Sequence, residues 1–123
     1  MPKISVNLNE VEDVSKPIPA GQYITRIIKA EKETGKESGK AYIHWEGEII
    51  EGEYKPKHLF WNTSLQVNAL WNLKKLLDAA SVVTNKDGSF NTEDAIGAEF
   101  TAVVGQREYE GKVTNEVTDY LGA

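Results

Sequence analysis

A chain of 123 residues, 40% of them hydrophobic, is long enough to fold as one domain around one core without disulfide or metal staples. It contains no cysteine, which excludes disulfides, thiolate metal sites and cysteine nucleophiles. A formal net charge of -5 excludes a uniformly basic nucleic-acid binder, so any such function would rest on local charge and stacking. No apolar run approaches the roughly 18 residues of a membrane span, and Met1-Pro-Lys-Ile4 lacks the apolar core of a signal peptide. The expectation is a cytoplasmic protein with no membrane partner.

Residues 1–20 mix short apolar and acidic pieces and end in Lys16-Pro-Ile-Pro-Ala-Gly21, where the prolines forbid helix and favour an extended strap. Gln22 to Glu31 is rich in β-branched residues and predicts the first strand, followed by a loop, Thr34-Gly-Lys-Glu-Ser-Gly39. The second strand, Lys40 to Glu51, alternates: Ala41, Ile43, Trp45, Gly47 and Ile49 share one face, and Tyr42, His44, Glu46 and Glu48 the other. Trp45 is therefore a core residue. A turn over Gly52 to Lys57 leads into a third strand at His58 to Leu65. There Leu59, Trp61, Thr63 and Leu65 oppose His58, Phe60, Asn62 and Ser64.

From Gln66 to Ala80 the spacing turns helical. Ala69, Leu70, Leu73, Leu76, Leu77 and Ala80 fall within about 60° of Leu73, whereas Trp71 falls about 160° away. Trp71 should point away from the core, which suits an oligomer interface, with cover by the strap as the alternative. Ser81 to Phe90 is a polar loop. Asn91-Thr-Glu-Asp94 reads as a cap opening one helical turn that Gly97 closes. Two strands, Glu99 to Arg107 and Lys112 to Leu121, flank the hairpin Glu108-Tyr-Glu-Gly111, with glycine in the left-handed position. Three strands, a helix and two strands is the element order of a mainly β, five-stranded OB-fold barrel with one α-helix between strands three and four. The barrel domain would occupy residues 21–123 and the strap residues 1–20.

No catalytic constellation emerges. His44 and His58 lie on neighbouring strands without an identifiable third metal ligand, Glu46 and Glu48 have a spacing common in acidic strands, and the glycines fit no phosphate loop. The expectation is a protein that is not an enzyme and needs no cofactor or metal. Charge, however, is uneven. Residues 26–40 carry five cations against three carboxylates and residues 55–75 carry four cations alone, whereas 41–54 and 76–99 each net to -4. Ordinary solvated surface would account for this. The sharper reading places Tyr42, His44 and one of the adjacent pair Phe60 and Trp61 on the outer face, with Tyr54 in the turn and Lys36, Lys40, Lys55 and Lys57 around them. Aromatics beside lysines make a sequence-tolerant groove for single strands, since every base has a π-face.

Pro19-Ala-Gly-Gln-Tyr23, Gly52-Glu-Tyr54, Leu59-Phe-Trp-Asn-Thr-Ser-Leu65, Ala69-Leu-Trp-Asn-Leu-Lys-Lys-Leu-Leu77 and Gly97 before the Phe100–Gly105 strand together span roughly residues 17–120. In these motifs the chain resembles a family of small phage and prophage proteins, some uncharacterised and others assigned to single-stranded DNA binding, encoded near recombination and replication genes. The resemblance implies an OB-fold and protection of single-stranded DNA during phage replication or recombination, in the cytoplasm of a bacterial host. It does not identify the contact residues. The chain ends at Asp119-Tyr-Leu-Gly-Ala123 without the detached acidic tail by which many single-strand binders recruit phage or host replication proteins. A non-catalytic protein-interaction module, such as a replication accessory factor or an inhibitor of a host enzyme, is the alternative function.

Overall fold

The computed structural model describes residues 17–123. Its strands are β1 (Gly21–Thr34), β2 (Ala41–Ile49), β3 (His58–Ser64), β4 (Glu99–Tyr109) and β5 (Lys112–Leu121), with helix α1 (Leu70–Ala79) after β3 and one helical turn, α2 (Thr92–Ala95), before β4. The chain is mainly β, and its strands form one antiparallel sheet in the order β3-β2-β1-β4-β5.

The alternation in β2 is realised. Ile43, Trp45, Gly47 and Ile49 are buried, and the residues between them are half-buried on the opposite face. β1 runs beyond Glu31 to Thr34 because Lys32, Glu33 and Thr34 pair with Ile43, Tyr42 and Ala41 while their side chains stay in solvent. The helix begins later than the sequence pattern suggests. Val67–Ala69 is a 3-10 turn, and Leu73, Leu76 and Leu77 form the buried stripe, followed by Ala80. Leu70, expected in that stripe, is 39% exposed. The β4–β5 hairpin closes through Glu110 and Gly111, with φ of 50° and 78°, the consecutive left-handed pair that a two-residue type I′ turn requires. α2 ends as expected at Gly97, φ 89°, although the Asn91 side chain makes no capping hydrogen bond. Of the expected strap, residues 1–16 lie outside the described residues. Ile18 is buried, its N–H donates to Asn115 Oδ1, and its carbonyl accepts from Gln106 Nε2 and Asn115 Nδ2.

The closed barrel is corrected to an open, curled sheet. β3 and β5 approach to within 8 Å between Cα atoms, but no hydrogen-bonded ladder joins them. β3 has seven residues, all paired with β2, before the chain leaves for α1. Helix α1 packs against both edges, and Leu73, Leu76 and Leu77 join the core between them. Apolar packing therefore closes the gap that backbone bonding leaves open.

A chain of rings crosses the interior. Trp45 of β2 stacks on Trp61 of β3 at 6.2 Å and 9°, Trp61 meets Phe100 of β4 edge-on at 5.5 Å, and Phe100 meets Tyr120 of β5 at 5.9 Å. Trp45 Nε1 donates to Thr63 Oγ1 at 2.9 Å, so this buried indole is satisfied. Gly47 makes room for the stack: a Cβ there would lie 2.5 Å from Thr25 Cγ2 and 3.1 Å from the Trp61 ring. Burial pushes the Tyr120 hydroxyl up to about 12.

Candidate nucleic-acid interface

The outer face of β2 and β3 is built by strand parity. Because Trp45 and Trp61 point inward, Tyr42, His44, Glu46 and Glu48 on β2 and His58, Phe60, Asn62 and Ser64 on β3 point outward together. The antiparallel register sets Tyr42 against Ser64, His44 against Asn62, Glu46 against Phe60 and Glu48 against His58. On the diagonal, the rings of His44 and Phe60 stack at 6.2 Å and 15°. Phe60 is 55% exposed and forms the platform of this face. The His44 ring is held in place by a 2.6 Å hydrogen bond between its Nδ1 and Asn62 Oδ1.

The electrostatics divide the face into a middle and two ends. Register brings Glu31 and Glu33 of β1 beside His44 and Tyr42, so four glutamates, Glu31, Glu33, Glu46 and Glu48, lie across β1 and β2. Their charges are partly engaged. Glu46 Oε2 lies 2.9 Å from His58 Nδ1, Glu48 Oε2 lies 4.0 Å from His58 Nε2, and Glu31 pairs with Lys29 at 3.5 Å. Tyr42 donates its hydroxyl to Glu33 Oε2 at 2.9 Å, and this bond to a carboxylate holds the phenol above its ordinary value. The lysines occupy the ends. Lys36 and Lys40 lie in the β1–β2 loop next to Tyr42, whereas Lys55 and Lys57 lie in the β2–β3 turn next to His58, about 25 Å away along the strand.

Two of the expected contact residues do not belong to this face. Trp61 is the inward member of its pair, 7% exposed against Trp45 and Phe100, so the outward position falls to Phe60. The Trp61 Nε1 is buried with no hydrogen-bond partner among the described residues. Tyr54 turns to the core side, edge-on to Tyr23 at 5.9 Å, and Tyr23 in turn donates to the Pro19 carbonyl. Burial, then the negative charge around Tyr54 and Glu53, raises the Tyr23 hydroxyl. Tyr42, His44 and Phe60 thus remain together with Lys36 and Lys40 at one end, and Lys55 and Lys57 at the other. Trp71 is remote from them on α1 and is 69% exposed.

A family profile matches residues 4–121, nearly the whole chain. The chain belongs to the family described as Protein of unknown function (DUF669). No curated protein matches it. In this DUF669 member, no group of three or more His, Asp or Glu side chains among the described residues is placed to hold a metal ion, and no described helix is long and apolar enough to cross a membrane. The sequence pattern sets Asn62 and His58 outward without giving them a role. Their roles depend on cross-strand register, which pairs Asn62 with His44 and brings Glu46 and Glu48 to His58. Alternation sets the face of each residue but not which residue of β3 stands opposite which residue of β2, since a slip of two residues keeps every side chain on its face.

Proposed function

We propose that this DUF669 protein binds single-stranded DNA without sequence preference, as an OB-like curled sheet, in phage replication or recombination. The stacked His44 and Phe60 on the outer face of β2 and β3 are the observation that carries the reading. That face is the ligand surface of OB-folds, and an exposed ring backed by a second, parallel ring presents a rigid stacking platform at low entropic cost. Tyr42 extends the platform toward the lysines of the β1–β2 loop, so a strand laid along β2 would stack over Phe60 and His44 and neutralise phosphates at Lys36 and Lys40. Lys55 and Lys57 would receive its other end. The glutamates between the basic ends disfavour a tightly held phosphate in the middle and favour a duplex-averse mode in which bases, not backbone, face the sheet.

The same glutamates, and Trp71 on the far side, support the other reading, a non-catalytic module that binds protein. One titration separates the two. Fluorescence anisotropy of labelled oligo-dT, duplex DNA and RNA of equal length should show binding of the single strand by the wild type and a loss of about 1–3 kcal/mol in Phe60→Ala. Absence of binding to any of the three would leave the protein-interaction module as the reading.

A further inference from the structure

Both histidines of the chain, His44 and His58, lie on the outer face of β2 and β3, and both stand among carboxylates. His58 of β3 faces two glutamates of β2, with Glu46 Oε2 2.9 Å from its Nδ1 and Glu48 Oε2 4.0 Å from its Nε2. Phe60 follows it on the same face of β3, and Lys55 and Lys57 lie in the turn before it. His44 of β2 has Glu31 of β1 opposite it on one side and Asn62 of β3 on the other, with Tyr42 and Glu46 next to it along the same face of β2. Lys29 of β1 pairs with Glu31, and Glu33 accepts the Tyr42 hydroxyl. Carboxylates and lysines ordinarily keep their charge between about pH 8 and pH 5.5, whereas an imidazole is the side chain that gains one there.

We propose, resting on the single-strand reading above, that binding at this face is proton-linked: protonation of His44 and His58 raises its affinity for single-stranded DNA. A strand laid along β2 carries its phosphates past Glu31, Glu33, Glu46 and Glu48, and two imidazolium charges offset half of those four carboxylates. The geometry receives the protons without rearrangement. Nδ1 of each ring faces an oxygen that can only accept, Asn62 Oδ1 for His44 and Glu46 Oε2 for His58, so the neutral rings carry their proton on Nδ1. The second proton therefore goes to Nε2, which in His58 is the atom turned toward Glu48. The His44 ring keeps its bond to Asn62 and its stack on Phe60, so the platform stays in place while the repulsion around it falls. Because linkage is reciprocal, the bound strand must in turn draw protons onto the face.

Anisotropy titrations of the full chain with labelled oligo-dT, at about pH 8 and about pH 5.5 and one low ionic strength, test this. Wild-type affinity should rise roughly tenfold at the lower pH, about threefold for each imidazole, the worth of one exposed ion pair. The double variant His44→Gln with His58→Gln should lose this pH dependence, whatever affinity it retains. Glu46→Gln should raise the affinity at the higher pH about threefold, because it removes the same repulsion without a proton. Calorimetry of the wild type at about pH 6.5, in two buffers of different ionisation enthalpy, should show net proton uptake on binding, a readout that needs no variant. Wild-type binding that is equal at both pH values, or that takes up no proton, would overturn the proposal and leave the single-strand reading standing. So would a pH dependence that survives in the double variant, since the protons would then bind elsewhere. Absence of wild-type binding at either pH would overturn both.

Discussion

Two sets of rings one residue apart on the same strands have opposite fates. Trp45 and Trp61 stack inside the curled sheet and continue through Phe100 to Tyr120, tying β2 and β3 to β4 and β5. His44 and Phe60, their immediate neighbours, stack at the same separation on the outside, where Phe60 stays 55% exposed. The inner stack substitutes for the missing β3–β5 ladder. The outer stack adds little to folding because its rings remain in contact with water. The comparison shows that a stacking geometry has no function of its own: burial decides whether the rings hold a fold together or stay open to solvent.

The largest expected effect falls on the inner set. Trp45→Ala should destabilise the protein by about 3–5 kcal/mol, lowering the denaturant midpoint, because it opens a cavity and leaves Thr63 Oγ1 without its donor. Gly47→Ala should cost about 1–3 kcal/mol although it removes nothing, since the added methyl meets Thr25 Cγ2 and the Trp61 ring. A wild-type midpoint in that variant would mean that the inner stack has slack. On the outer set, Tyr42→Ala should change the midpoint by less than about 0.5 kcal/mol, as befits a half-exposed ring whose bond to Glu33 lies in solvent, while weakening oligo-dT binding.

Alkaline titration sharpens the same contrast. The Tyr120 hydroxyl is raised in the folded state, so its stabilising contribution is fully present below the ordinary tyrosine value near 10 and is lost as pH rises toward about 12. Tyr120→Phe should flatten the fall in melting temperature across that window. The smallest effect is electrostatic. Lys36→Gln with Lys40→Gln should reduce the slope of log affinity against log salt by roughly 0.7 for each phosphate that the variant no longer neutralises, with no change in melting.

Much of the fold is legible in the residues themselves. Alternation in β2 places Trp45 inside, the apolar spacing of Leu73, Leu76 and Leu77 gives the helix and its buried face, and Glu110-Gly111 marks the last hairpin. Barrel closure is not legible, because it depends on whether the backbones of β3 and β5 meet, and no side-chain pattern encodes that distance. The charged end of β1 beyond Glu31 escapes for a similar reason: Lys32 and Glu33 have poor strand propensity and are strand only because β2 supplies their partners. Strand parity groups Trp61 with Leu59 and Leu65, and Phe60 with His58, Asn62 and Ser64, but leaves a large ring on each face. What favours Trp61 inside is Gly47 on the neighbouring strand, a residue whose missing side chain gives the larger ring its space. Strand parity alone puts Tyr42 and His44 on the outer face, whereas Tyr54 is drawn inward by Tyr23, a contact between distant segments.

The central claim is that the outer stack binds and the inner stack holds the fold. The most direct test measures oligo-dT affinity and thermal melting side by side for the wild type and Phe60→Ala. The account predicts an affinity loss of about 1–3 kcal/mol with a melting temperature unchanged within a degree or two. Wild-type affinity in a folded Phe60→Ala variant, or a large drop in its melting temperature, would contradict it.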